Sequence, residues 1–114
     1  MERWTDEDFA QDRVQRSGLW AVAFLADWCP FCRAFRPEFE AIEGRHPFST
    51  AIVDLTSEES LLWETFRIEV VPTVALFRDG HLVWRRDGRQ FRGLGAADID
   101  ALISAASASA AGGR

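Results

Sequence analysis

Lysine is absent from the chain, and all thirteen basic residues are arginine. No lysine is therefore available as a catalytic base or Schiff-base former. Cysteine is nearly as scarce, with two in 114 residues, too few for the disulfide framework of a small secreted domain. Histidine occurs only as His46 and His81. These two lack the close H-x-x-x-H spacing, so the cysteines have no ready second pair of ligands for a structural zinc, which needs four. Long apolar runs are also missing: none approaches the roughly eighteen residues of a membrane span. Met1–Glu7 is polar and acidic, without the apolar centre of a signal peptide, so the expected location is the cytoplasm. The arginines are scattered and the net charge is −5, which argues against a nucleic-acid surface or a polybasic membrane anchor.

What remains is the composition of an ordinary globular domain, 47% hydrophobic and 27% charged, long enough for one core. Thr5 or Asp6 can cap a first helix to about Arg16, where Ser17-Gly18 ends it. Leu19–Ala26 is a continuous apolar run, the pattern of a strand buried on both faces. A helix is expected from about Phe31 to Gly44, with Pro37 inside it. A short strand, Thr50–Leu55, follows, then a helix opened by Ser57 with Glu59 and Ser60 and ending near Arg67. Val74–Arg78 and Leu82–Arg86 pair as a hairpin about Asp79-Gly80. Ala96–Ala106 forms a last helix. The expectation is one α/β domain over residues 1–106, a mixed central sheet with helices on both faces, followed by a flexible tail over 107–114. Trp4, Trp20, Trp63 and Trp84 are assigned to packing. Phe9, Phe24, Phe35, Phe39, Phe66 and Phe77 are assigned to the core.

The chemistry lies at Asp27-Trp28-Cys29-Pro30-Phe31-Cys32, where the buried strand turns into a helix. A cysteine there faces unpaired backbone N–H groups and the positive end of the helix dipole, which favour thiolate over thiol. Cys29 is thus the expected exposed nucleophile. Cys32, one turn further in, points the same way and is the expected buried, resolving thiol. Attack by Cys29 on a disulfide gives a mixed disulfide, from which Cys32 displaces the reduced product. A pair of merely structural thiols and half of a zinc site are the competing readings.

The block Phe24–Cys32 resembles the active-site segment of thioredoxins, and three further features fit in order and spacing. Pro37, eight residues after Cys29, matches the family's helix-kinking proline. Val71-Pro72-Thr73 looks like its cis-proline loop, which faces the cysteines in the fold. Leu76-Phe77-Arg78-Asp79-Gly80 resembles the strand and turn that come next. The resemblance spans roughly Trp4 to Ile103 and implies a thioredoxin fold and a protein-disulfide reductase. It implies no cofactor beyond the Cys29–Cys32 disulfide, and no metal. It also implies protein disulfide substrates and an upstream dithiol reductase such as thioredoxin reductase; a monomer is the simplest default for the oligomeric state, which the sequence leaves open. Trp28, Pro30, Phe31, Val71 and Pro72 become the expected substrate contacts, with the Val71 backbone open to pairing with an extended substrate chain.

Departures from the family pattern limit the carry-over. Thioredoxins place a buried carboxylate six residues before the first cysteine; here that residue is Ala23. The family's lysine partner falls near Thr50 and is missing. Pro30-Phe31 looks more like the Pro-aromatic pair of glutaredoxins, and Arg33 is available to a glutathione carboxylate. The opening strand of many thioredoxins is scarcely present. Gly88 and Gly93 compete for the family's late glycine. The loss of an acid at Ala23 favours an alternative, a redox-sensing or partner-binding module with little general turnover. Cluster or metal binding through Cys29 across a dimer is a third reading.

Overall fold

The structure is a computed structural model and describes residues 1–45 and 47–111. His46 and the final three positions of the expected tail lie outside the described residues. In chain order the elements are β1 (Glu2–Trp4), a 3-10 turn (Asp6–Asp8), β2 (Phe9–Ala10), β3 (Arg13–Val14), β4 (Leu19–Leu25), α1 (Pro30–Glu40), β5 (Ser49–Asp54), α2 (Leu62–Thr65), β6 (Thr73–Arg78), β7 (His81–Asp87) and α3 (Ala96–Ala111). Five strands form one sheet in the order β1-β5-β4-β6-β7, and β2 and β3 form a separate small ribbon. β4 pairs parallel with β5 and antiparallel with β6, and β7 closes the antiparallel edge. The opening strand, expected to be scarcely present, exists as a three-residue edge, with Trp4 opposite Val53. No helix among the described residues is long and apolar enough to cross a membrane.

The register decides which residues meet. Trp20 lies opposite Phe77, Val22 opposite Ala75, and Phe24 opposite both Thr73 and Val53. Trp4, Trp20, Phe24 and Phe77 therefore share one face. On it Phe66 meets Phe24 at 5.6 Å and Phe77 at 5.8 Å, and Phe9 meets Trp4 at 5.9 Å. Edge-on and tilted contacts of this kind add to the area that each ring buries. The opposite face carries the small residues Ala21 and Ala23, both fully buried. There α1 and α3 touch each other and pack on β4, burying Phe35, Phe39 and Leu102. The mixed sheet with helices on both faces is thus present, but one face has two real helices and the other only the 3-10 turn, the ribbon and the single-turn α2.

The first helix expected from sequence does not form. Thr5 and Asp8 do make a reciprocal cap, but the helix stops after one turn. Phe9 and Val14 explain why: five residues apart, they fall on different sides of a helix. In the ribbon they are direct partners, turned about Gln11 at φ 59, so Val14 is buried and Phe9 reaches the aromatic cluster. The helix expected to follow Ser57 is likewise cut to Leu62–Thr65. Asp6 takes the Leu61 N–H at 2.9 Å and the Ser60 hydroxyl, and Arg67 at φ 50 ends the helix. In the other direction, α3 runs past Ala106 to Ala111. Its last residues are mostly alanine, the best helix former, so small side chains there favour helix rather than fraying. The side chain of Asp98 reaches back to the Gly95 N–H at 2.8 Å and meets Arg86 at 3.3 Å, fixing the start of α3.

The hairpin between β6 and β7 turns on Asp79 (φ 50) and Gly80 (φ 90). Glycine is required at the second position twice over: for its φ, and because a Cβ there would come within 2.7 Å of the Val14 carbonyl. Phe77, fully buried among Trp4, Phe9 and Phe66, tests the aromatic face. Phe77→Ala is expected to lower stability by about 3–5 kcal/mol in urea unfolding. A loss below about 1 kcal/mol would mean that the cluster does not hold this face of the sheet.

Candidate functional site

β4 ends at Leu25, and three residues beyond Ala26 the chain enters α1 with Cys29 as its N-cap and Pro30 at the first helical position. Proline suits that place because its missing N–H has no helical partner there anyway. The cap is a sulfur: Cys29 Sγ accepts the Cys32 N–H at 3.3 Å. The same thiol donates to the Val71 carbonyl at 3.4 Å. Two distant segments, the start of α1 and the loop before β6, thus converge on one sulfur atom. The Val71–Pro72 peptide is cis, and the Thr73 hydroxyl donates to the Val70 carbonyl at 2.8 Å.

Both thiols are free. Cys32 lies behind Cys29 on the side of α1 that faces the sheet and is 2% exposed. Cys29, expected to be exposed, is 5% exposed, because the surrounding side chains stand higher than its sulfur. It reaches solvent through a cleft of about 240 Å³. Trp28 and Trp63 form one wall, stacked at 6.2 Å and 13°. Their indole N–H groups are anchored on the Thr56 and Ser57 carbonyls. Glu69, Val70, Val71, Arg89, Gln90 and Phe91 complete the lining, with Phe31 from the first turn of α1.

Of the residues singled out from sequence, Trp28, Cys29, Phe31 and Val71 line this cleft. Pro30 is exposed outside it and Pro72 is buried behind it. Gly88 and Gly93 both press on the site: an added Cβ would lie 2.4 Å from the Pro72 carbonyl at Gly88 and 2.8 Å from Phe31 at Gly93. Arg33 is turned back on the Asp27 carbonyl at 3.0 Å. Trp63, assigned to packing, does pack against the core and also lines the cleft. Glu69 and the Arg89–Phe91 segment carried no readable signal, since a loop residue's neighbours across space leave no period in the sequence. Among the described residues no group of three or more histidine, cysteine or acidic side chains is placed to hold a metal.

Ala23, fully buried, lies on the sheet face that α1 covers, so no carboxylate from that strand position reaches the cysteines. Burial pushes the Cys32 thiol from an ordinary value of 9.0 up to about 12. In the unfolded chain the thiol ionises near its ordinary value, and in the folded chain it holds its proton. Unfolding between those limits releases a proton, so the stability contributed by neutral Cys32 is complete below pH 9 and declines as pH rises toward 12. The urea midpoint of the reduced protein should therefore fall more between pH 7 and about pH 10 for wild type than for Cys32→Ser. Equal falls would refute burial as the source of the shift.

The comparisons with known proteins agree with this geometry. The family model described as Thioredoxin matches residues 1–104. Thioredoxin C-2 of Corynebacterium nephridii is 33% identical over 101 residues, covering 87% of this chain and 93% of that one. Thioredoxin of Chlamydia pneumoniae is 38% identical over 74 residues, covering 65% of this chain and 72% of that protein. Protein disulfide-isomerase A3 of Gallus gallus is 33% identical over 86 residues, or 74% of this chain, a match to only 17% of that longer protein. Among solved structures, spinach chloroplast thioredoxin f (long form) superposes with a TM-score of 0.72 at 21% identity, over 95% of this chain and 84% of that one.

Proposed function

The chain belongs to the thioredoxin family and is a thiol–disulfide oxidoreductase, and from that premise we propose that it works as a reductase of protein disulfides through a Cys29–Cys32 cycle. The observation that carries the reading is the position of Cys29 Sγ. It caps a helix, accepts an N–H from the second cysteine, and faces a cleft of about 240 Å³.

The cycle balances as a two-electron exchange. Cys29 thiolate attacks one sulfur of the substrate disulfide; a bond forms between Cys29 and that sulfur, and the other substrate sulfur leaves as a thiolate that takes up a proton. The Cys32 N–H points at Cys29 Sγ and is placed to hydrogen-bond the attacking sulfur. Once Cys29 has lost its proton it no longer donates to the Val71 carbonyl, which is then open to an N–H of the substrate backbone. Cys32 next gives up its proton and attacks Cys29 Sγ. The Cys29–Cys32 disulfide forms and the second substrate thiol departs. With alanine at position 23, this proton passes to water or to the departing thiolate rather than to a buried acid. No cofactor enters the cycle. An upstream dithiol reductase restores the thiols, and the reducing direction suits the cytoplasm.

Two measurements test the reading. Equilibration against graded glutathione or dithiol buffers, with free thiols trapped and counted by mass, gives the reduction potential of the pair. A value near or below about −230 mV is expected for a reductase, whereas one above about −160 mV would mark an oxidant or isomerase. In turnover of a protein disulfide such as insulin, Cys29→Ser should abolish reduction, and Cys32→Ser should accumulate a mixed disulfide. Absence of turnover with both thiols intact would instead favour the redox-sensing or partner-binding module.

A further inference from the structure

Between β7 and α3 the chain closes a five-residue loop. Arg89 N–H donates to the Gly93 carbonyl at 3.2 Å, and Gly93 N–H returns a bond to the Arg89 carbonyl at 2.8 Å. Its roots are clamped on the two segments that make the site. Gly88 sits against the Pro72 carbonyl, and Gly93 against Phe31 in the first turn of α1, each closer than any Cβ would allow. The tip is Phe91, at φ 65 and 82% exposed. A large aromatic in the left-handed region is unfavourable, and its exposure brings no compensating burial. Such strain at the lip of an active-site cleft points to a functional contact.

The charges on the loop point the same way. Arg89 and Arg92 are exposed, and among the described residues neither guanidinium takes part in an ion pair or side-chain hydrogen bond. The nearby Asp87 is held by Arg85 through two bonds, at 2.6 and 2.7 Å. A chain of net charge −5 thus presents Arg89 in the lining of the cleft that opens on its reactive sulfur, with Arg92 further along the same loop. Glu69 lines the same cleft.

We propose that the Arg89–Gly93 loop selects the substrate, Phe91 covering an apolar side chain beside the target cysteine while Arg89 and Arg92 pair with a carboxylate next to it. The preferred disulfides lie in apolar–acidic segments. The inference rests on the reductase reading and adds the substrate class to it.

The test uses two disulfide-linked peptides that differ only in Glu or Arg beside a leucine flanking the target cysteine, each made with that pair on either side of the cysteine. At low salt the reduced wild-type protein should reduce the Glu peptide about fivefold faster than the Arg peptide, the size expected of two exposed charge pairs at a rim. The ratio should shrink toward unity in about 0.5 M salt. Joint substitution Arg89→Glu and Arg92→Glu should invert the preference, which a merely structural role for the loop would not do. Phe91→Gly, which suits φ 65, should keep the thermal midpoint and lower the rate for both peptides about threefold or more, as an aromatic contact implies. Equal rates for the two peptides at low salt in either orientation would overturn the selector and leave the reductase standing. Failure to reduce any disulfide would remove both.

Discussion

One sulfur atom ties this molecule together. Cys29 Sγ is at once the cap of α1 and a donor to the loop before β6, so the end of a central strand, the start of a helix and the Val71–Pro72 turn must all be in place for it to exist in this form. Each of those segments is held by something else. The strand is paired on both edges, with β5 and β6. The helix is seated on the small side chains Ala21 and Ala23. Gly88 lets the next turn of chain approach the Pro72 carbonyl. The reactive group is therefore a product of the whole sheet rather than of a local motif.

The two faces of that sheet are built by opposite means. On one side small alanines let two helices come close, and the helices supply the bulk through Phe35, Phe39 and Leu102. On the other side the strands supply the bulk through Trp4, Trp20, Phe24 and Phe77, and little secondary structure is needed to cover them. Phe9 from the ribbon and Phe66 from the end of α2 suffice. Interiors pack to nearly constant density, so large residues on the sheet leave room for only a thin layer above. That balance accounts for a 3-10 turn, a four-residue ribbon and one helical turn where fuller helices were expected.

The same division bears on the chemistry. The helical face shelters Cys32 and holds its proton in place, and with alanine at position 23 that face offers it no carboxylate. Exposed function is concentrated at the opposite end of the pair, where stacked Trp28 and Trp63, Glu69, and the Arg89–Phe91 loop surround the opening. The cysteine pair carries the electron exchange common to the family, and these walls carry what is particular to this chain.

The sequence by itself determined the elements whose signal is local. These are the apolar run of β4, the Asp79-Gly80 turn, Cys29-Pro30 at a helix start, and the spacing of Cys32 one turn later. A buried strand, a tight turn and a helix cap each depend on residues only a few positions apart, and the family resemblance is made of the same short pieces. Only the tertiary structure decided the rest. Phe9 and Val14 became strand partners because the aromatic face needed Phe9, against a pattern that also suited a helix. Trp63 packs on the core as expected, and its second role in the cleft comes from stacking on Trp28. Cys29 was expected at the surface, yet side chains from three separate segments rise above its sulfur. Phe91 and Arg89 stand beside that sulfur because Gly88 and Gly93 fold their loop onto it. Contacts across sixty residues of chain have no periodicity to read, and they come into being only when the sheet closes.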